Sequence, residues 1–240
     1  MLYTSLNNPK IKEIRKLKEK KYRDKENLFL IEGEHLIKEA IKNNVLSEIF
    51  VLEGYEYDFN RQVNYVSLEV MKSLSDLPSV PKIIGVCQKH EGEISGNIVI
   101  LDDVQDPGNL GTIIRSCVAF DIKTIILSEK CADIYSPKVL RSTQGMIFNI
   151  NIIKANISKI ISNLKEKDYI IYGTKVNGGK ELKLLEKNKK FAIIMGNEGN
   201  GVNPDNLELC DEYLYIPINK ECESLNVAVA TSIILYELGR

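Results

Sequence analysis

The sequence predicts an α/β protein built on a mostly parallel sheet with helices on both faces, preceded by a smaller α/β domain. Three observations predict it. From Asn97 onward, short runs of continuous apolar residues alternate with segments of helical period, the pattern of strands buried on both faces. Residues 1–90 carry a separate set of strands and helices behind a basic N-terminal stretch. Between the two sets, KHEGEISG (Lys89 to Gly96) is polar, holds two glycines and has no period. The expected organisation is therefore a domain over 1–90, a linker over 91–96 and a domain over 97–240.

Each element has its own reason. Ile11, Ile14 and Leu17 recur at helical spacing within Lys10 to Lys25, so one helix is expected there, with a narrow apolar stripe and cationic remaining faces. Those faces read either as a solvated surface or as an arm that contacts phosphates. A strand (Leu28 to Ile31), a helix (Glu34 to Lys42), two strands (Glu48 to Leu52 and Val63 to Val66), a helix (Leu68 to Leu74) and a strand (Lys82 to Gln88) follow. The second domain reads strand (Ile98 to Leu101), helix (Leu110 to Phe120), strand (Thr124 to Leu127), helix (Pro137 to Thr143), strand (Ile150 to Ile153) and helix (Ile157 to Lys165). Strands at Tyr169 to Gly173, Phe191 to Met195 and Tyr213 to Ile216 come next, then a helix from Leu225 to Leu238. That last helix is apolar nearly all round, which suggests cover by the core and by a second subunit.

Composition narrows the function. The 240 residues are 44% hydrophobic and 27% charged, inside the range of globular proteins. No run approaches the roughly 18 apolar residues of a membrane helix, and the lysine-rich start lacks a signal-like apolar core, so a cytosolic protein is expected. The net charge of -1 hides a local excess: residues 1–26 carry +5, residues 27–90 carry -3 and the remainder -3. Five cysteines form no C-x-x-C pair, and only His35 and His90 represent histidine. Zinc chemistry, any other metal role and a Ser/His/Asp set are poor fits to that inventory.

Ligands of parallel sheets bind at the carboxyl ends of strands. Three loops at such ends hold residues a connector does not need. In LDDVQDPGNLGTIIRS, Pro107, Gly108 and Asn109 read as a turn into a helix N-terminus with Asn109 as its cap, and Arg115 lies six residues further on. In MGNEGNG (Met195 to Gly201), three glycines surround Glu198, and the pattern is neither a P-loop nor a Rossmann turn. In IPINKECESLNVAVATSIILYEL, Ser224 reads as the cap of the last helix.

Taken in order, Asn109-x-Gly111-x-x-x-Arg115, Gly196-Asn197-Glu198-x-x-Gly201 and Ser224-Leu225-Asn226-Val227-x-x-Ala230 resemble the three signature motifs of the SpoU (TrmH-type) RNA 2'-O-ribose methyltransferases of the SPOUT superfamily. The similarity spans about residues 97–240, while residues 1–90 resemble the small RNA substrate-binding domain that precedes it in many members. The resemblance implies a C-terminal deep trefoil knot, a homodimer and S-adenosylmethionine as cofactor. It implies cofactor contacts at Gly196, Ile216 and Leu225, with Thr174 a further candidate, and catalytic-site roles for Arg115, Asn109, Glu198, Ser224 and Asn226. Arg115 of one subunit is implied to reach the acceptor at the other subunit's cofactor.

The chemistry needs donor and acceptor aligned, which supplies roughly 7 to 11 kcal/mol, and a hydroxyl helped to lose its proton. A guanidinium with a pKa above about 12 stays protonated, so Arg115 is expected to clamp a phosphate and stabilise the forming alkoxide rather than act as base. In Arg141-Ser142-Thr143-Gln144-Gly145-Met146, Met146 stands where relatives carry a small residue, and Arg141 reads either as a phosphate contact or as a helix-end ion pair. The two-domain layout favours ribosomal RNA of the large subunit as substrate. Transfer RNA, and a non-catalytic RNA-binding assembly factor of the same fold, are the alternatives.

Overall fold

A strand of unbroken apolar residues is stable only with both faces covered, and the C-terminal part of this chain is organised around such strands. The computed structural model describes residues 1–57, 59, 61–90, 92–182 and 190–238. Its first elements are β1 (Leu2–Tyr3), α1 (Pro9–Lys16), α2 (Lys20–Glu26), β2 (Leu28–Glu32), α3 (Glu34–Lys42), β3 (Leu46–Leu52), β4 (Asn64–Val66), α4 (Leu68–Leu74) and β5 (Ile83–Gln88). They continue with β6 (Ile98–Leu101), α5 (Pro107–Ala119), β7 (Thr124–Leu127), α6 (Pro137–Thr143), a 3-10 turn (Met146–Asn149), β8 (Asn151–Lys154) and α7 (Ile157–Lys165). The rest are β9 (Ile170–Thr174), β10 (Lys180–Glu181), β11 (Phe191–Met195), α8 (Pro204–Glu208), β12 (Glu212–Tyr215) and α9 (Val227–Leu238).

By contact the chain divides into Met1–His90 with Tyr135–Phe148, and Glu91–Ile134 with Asn149–Arg240. Residues 135–148, expected with the second domain, thus cluster with the first unit. Two kinds of contact within that unit explain it. The Phe29 ring of β2 lies 4.5 Å from that of Tyr135 and 6.4 Å from that of Phe148. Arg141 of α6 lies 3.7 Å from Glu32 at the end of β2, so the ion-pair reading of Arg141 is realised here.

The first unit's sheet has the order β1-β4-β3-β5-β2 and is mixed, with β5 antiparallel to both of its neighbours. Its core gathers Phe50, Val70, Met71 and Ile84 against Ile11, Ile14 and Leu17. The apolar stripe expected at the N-terminus is therefore buried, but the single helix expected over Lys10 to Lys25 is two. The cause is Arg23, which is buried and donates from Nη1 to the carbonyls of Leu17 (2.9 Å) and Lys18 (2.6 Å). A guanidinium satisfying the carbonyls that end α1 lets the chain turn and restart as α2.

Among the described residues of the second unit, seven strands form a parallel sheet in the order β10-β12-β9-β11-β6-β7-β8. The strands β6, β7 and β11 are buried along their whole length, as their apolar runs demand. Two termini differ from expectation. Helix α5 begins at Pro107, with Asp106 as the cap accepting from the Asn109 N-H at 2.8 Å. Helix α9 begins at Val227, where Asn226 Oδ1 accepts from the N-H groups of Ala228 (2.9 Å) and Val229 (3.3 Å). Asp106 and Asn226 thus take the capping roles expected of Asn109 and Ser224. On α9, Val229, Ile233 and Tyr236 form an exposed apolar stripe at 49%, 36% and 42% exposure. Among the described residues no helix is long and apolar enough to cross a membrane.

Glu32 supplies a test of the first unit's energetics. Its side chain is 8% exposed, and its Oε2 is buried without a hydrogen bond to any described residue. Burial pushes its carboxyl above the ordinary carboxylate range, against the opposing pull of Ser75 and Arg141. A carboxyl raised in this way binds more protons folded than unfolded, so its contribution to stability is full at low pH and is lost as pH rises through the folded value. Glu32→Gln is therefore expected to raise the urea midpoint at pH 8, with the difference from the parent vanishing near pH 4. A variant with a lower midpoint at pH 8 would contradict the assignment.

Candidate active site

Because β6, β11, β9 and β12 are parallel neighbours, their following loops emerge at one edge of the sheet. Chain order breaks there: β6 leads outward through β7 to β8, and β9 and β11 return to β6's other side. The edge is held rigid before any ligand arrives. Buried Asp102 at the end of β6 accepts from the Asn203 N-H (2.8 Å) and from Asn206 Nδ2 (3.0 Å), which ties α8 to the first loop. The next residue, Asp103, has a φ of 61° and accepts at its carbonyl from Asn197 Nδ2 at 2.8 Å.

The glycine loop after β11 is a tight reversal. Asn197 and Gly201 exchange backbone hydrogen bonds of 2.9 and 3.0 Å, while Asn197 Oδ1 accepts from the N-H groups of Gly199 (3.0 Å) and Asn200 (3.1 Å). Gly196 lies so close to the returning chain that a Cβ on it would sit 2.0 Å from the Gly201 carbonyl carbon and 2.1 Å from the Val202 nitrogen. Only glycine fits there.

This turn holds Glu198 over the start of α5. Its Oε1 accepts from the Asp106 N-H (3.0 Å) and Asn109 Nδ2 (3.0 Å), and its Oε2 from the Gln105 N-H (3.2 Å) and Asn197 Nδ2 (3.3 Å). Asn109 Oδ1 in turn accepts from Asn226 Nδ2 at 2.9 Å. One chain of side-chain hydrogen bonds, Asn226 to Asn109 to Glu198, therefore joins the starts of α9 and α5 to the glycine loop. Partial burial pushes the Glu198 carboxyl up, but its donors outweigh that and hold it below the ordinary carboxylate range. It therefore serves as an ionised acceptor on both oxygens.

Beside this network lies a cavity of about 420 Å³. Of the residues singled out in the sequence, Thr174, Gly196, Glu198, Ile216, Ser224 and Leu225 line it. Thr174 Oγ1 is engaged in donating to the Ile194 carbonyl at 2.8 Å. Asn109 and Asn226 join through the hydrogen-bond chain rather than the lining. Arg115 is exposed on α5, outside the cavity lining, and its side chain makes no hydrogen bond or ion pair to any described residue. Sequence reasoning missed the apolar wall that Leu207, Leu214, Ile218 and Ile234 form with Met195 and Val227, and the polar lip of Lys175 and Asn177. Apolar wall residues carry no signal that separates them from core. Lys175, which lies over the Tyr213 ring at 3.5 Å, could have been suspected from its place one residue past a strand end. Among the described residues no cluster of three or more His, Cys, Asp or Glu side chains is placed to hold a metal ion.

Comparison with known proteins matches residues 96–236 to the SpoU rRNA Methylase family and residues 8–85 to the MRM3-like substrate binding domain. The chain is 36% identical over 241 residues to the 23S rRNA (guanosine(2553)-2'-O)-methyltransferase RlmP of Bacillus subtilis, covering 98% of this chain and 97% of that protein. A crystal structure of an AdoMet-bound rRNA methyltransferase from Sinorhizobium meliloti superposes with a TM-score of 0.88 at 28% identity, covering 99% of this chain and 97% of the other. The SpoU methyltransferase AviRb from Streptomyces viridochromogenes shares the fold, with a TM-score of 0.85 at 21% identity over 98% of both chains.

Gly196→Ala is expected to destabilise the protein by about 1 to 3 kcal/mol in urea denaturation, the usual cost of forcing atoms into closed space. Gly199→Ala, whose added Cβ would meet only Asn197 Oδ1 at 3.7 Å, should change stability by less than about 0.5 kcal/mol. Equal effects of the two substitutions would contradict the close-approach argument.

Proposed function

The chain belongs to the SpoU rRNA methylase family, and from that premise we propose that it transfers a methyl group from S-adenosylmethionine to a ribose 2'-hydroxyl of 23S ribosomal RNA. The observation that carries the reading is the Asn226, Asn109 and Glu198 chain, which ends on Glu198 in the lining of a cavity of about 420 Å³, with each of the three side chains drawn from a different motif. The cavity fits the cofactor in kind: its size is that of a small-molecule site, its wall is apolar enough for a heteroaromatic base and the methylenes of a methionyl chain, and the glycine loop presents bare backbone. Gly196, Ile216 and Leu225 would hold it, with Thr174 shaping the floor. When bound, S-adenosylmethionine supplies a methyl group already activated on a sulfonium.

The protein's own groups then orient and stabilise. Glu198, fixed by its donors, keeps Asn109 and the start of α5 in place and takes no proton. Arg115 lies outside the cavity lining and outside the hydrogen-bond chain, and α5, which carries it, packs on α9, where Ser116 and Ser232 hydroxyls lie 2.7 Å apart. The apolar stripe of Val229, Ile233 and Tyr236 on α9 supports a homodimer in which Arg115 of one protomer serves the cavity of its partner. There its permanent charge clamps an RNA phosphate and stabilises the alkoxide as the hydroxyl loses its proton. The trefoil knot and a cytoplasmic location, where ribosomal RNA is made and modified, belong to the same reading.

Calorimetric titration with S-adenosylmethionine, followed by reaction with unmodified 23S RNA and transfer RNA transcripts, tests this. Uptake with methylation of a 2'-oxygen in the 23S transcript is expected; uptake without transfer to either RNA would contradict it. Arg115→Lys should lose about 100-fold in kcat while cofactor affinity persists, and a near-parental kcat would defeat the clamp. Because the Glu198 carboxyl is depressed in the folded chain, its network holds above the ordinary carboxylate value and fails only as pH falls through the lower folded one. Cofactor affinity should therefore stay flat from pH 8 to about 5, and a fall already at pH 6 would speak against this role of Glu198.

A further inference from the structure

Resting on the reading that RNA is the substrate, we infer that a specific surface of the first unit is its phosphate-contacting face: Lys12, Arg15 and Lys16 of α1, continued by Lys20 and Lys21 of α2. The N-terminal basic excess is only partly available to a ligand. Lys10 pairs with Glu48, Lys18 with Asp76 and Lys25 with Glu26, and Arg23 is buried, whereas Lys21 meets Glu19 in a pair exposed on both sides, which leaves its ammonium open to a phosphate. Lys12, Arg15, Lys16 and Lys20 are exposed and enter no ion pair with any described residue. On α1 the three cations follow at i, i+3 and i+4, so they share one face, away from the buried Ile11 and Ile14. A row of cations with no carboxylate partner, on a helix anchored by its apolar side, is an arrangement that stability does not require.

A second observation extends the row across the break between the helices. Lys16 Nζ lies 5.5 Å and Lys21 Nζ 4.7 Å from the centroid of the half-buried Tyr22 ring, so one aromatic holds an ammonium from each helix. Both distances are within cation-π range. Tyr22 is thus a positioning residue: it limits the freedom of two long side chains before a ligand binds, which lowers the ordering cost of binding. The rival surface in this unit is the loop after β3, where Tyr57 and Phe59 stack at 5.5 Å and Lys82 lies over Tyr55 at 4.5 Å. That loop carries the exposed Glu53 and Glu56, which repel a polyanion, so the choice falls on α1 and α2.

The test is the salt dependence of binding to an unmodified 23S RNA transcript. Each phosphate contact contributes a slope of about 0.7 to 0.9 in log affinity against log salt, so the Lys12→Gln, Arg15→Gln, Lys16→Gln, Lys20→Gln variant should lose about 3 from the parent slope. Lys10→Gln, which removes a paired lysine, should keep it. Tyr22→Leu should weaken binding several-fold, and Tyr22→Phe, which keeps the ring, should restore it. Failure of the methyl-transfer reading shows separately, as absence of S-adenosylmethionine uptake by the parent, a titration in which these side chains take no part. An unchanged slope in the four-fold variant, or parent binding to phosphatidylglycerol vesicles in preference to the transcript, would overturn the assignment.

Discussion

Four donors converge on the carboxylate of Glu198, and the site depends on that convergence. The donors come from the loop after β6, from the first turn of α5 and from the glycine loop itself. Asn226 at the start of α9 is attached through Asn109. Without a common acceptor, three loops remote in sequence would each be free to settle independently, and the cavity beside them would have no fixed wall. An ionised carboxylate suits the task because it accepts on both oxygens and competes with water better than a neutral amide. The same donors that orient Glu198 also hold its carboxyl below the ordinary carboxylate range, against the upward push of partial burial.

The rest of the second unit places that acceptor. A wholly parallel sheet delivers every strand-to-helix loop to one edge, and β11, inserted between β9 and β6, brings the glycine loop to the middle of it. Asp102 and Asn197 then stiffen the edge, one by tying α8 to the first loop and the other by closing the turn. The absence of side chains at Gly196 is as necessary as the presence of these polar groups, since the returning peptide occupies the space of a Cβ.

Much of this was legible in the residues. The strands β6, β7 and β11 and the helices α3, α4, α6 and α7 fall where apolar runs and periods put them, because burial alone dictates their pattern. The helix starts were harder to read. Asp106 and Asn109 are both good caps three residues apart, and Pro107, which favours the first helical position, was the signal pointing to Asp106. Ser224 and Asn226 posed the same choice, decided by hydrogen bonds that only the fold creates. The break between α1 and α2 could not be seen because its cause, a buried Arg23, violates the expectation that arginine stays at the surface. The two-residue strands β1 and β10 are too short to carry a period.

The central claim is that Asn226, Asn109 and Glu198 act as one unit in shaping the cofactor cavity. A double-mutant cycle between Asn109→Ala and Asn226→Ala, read as the affinity for S-adenosylmethionine, tests it most directly. If the chain is a unit, either substitution breaks it and the double variant binds about as weakly as the worse single one. Losses that simply add would mean the two asparagines act independently, and would contradict the account.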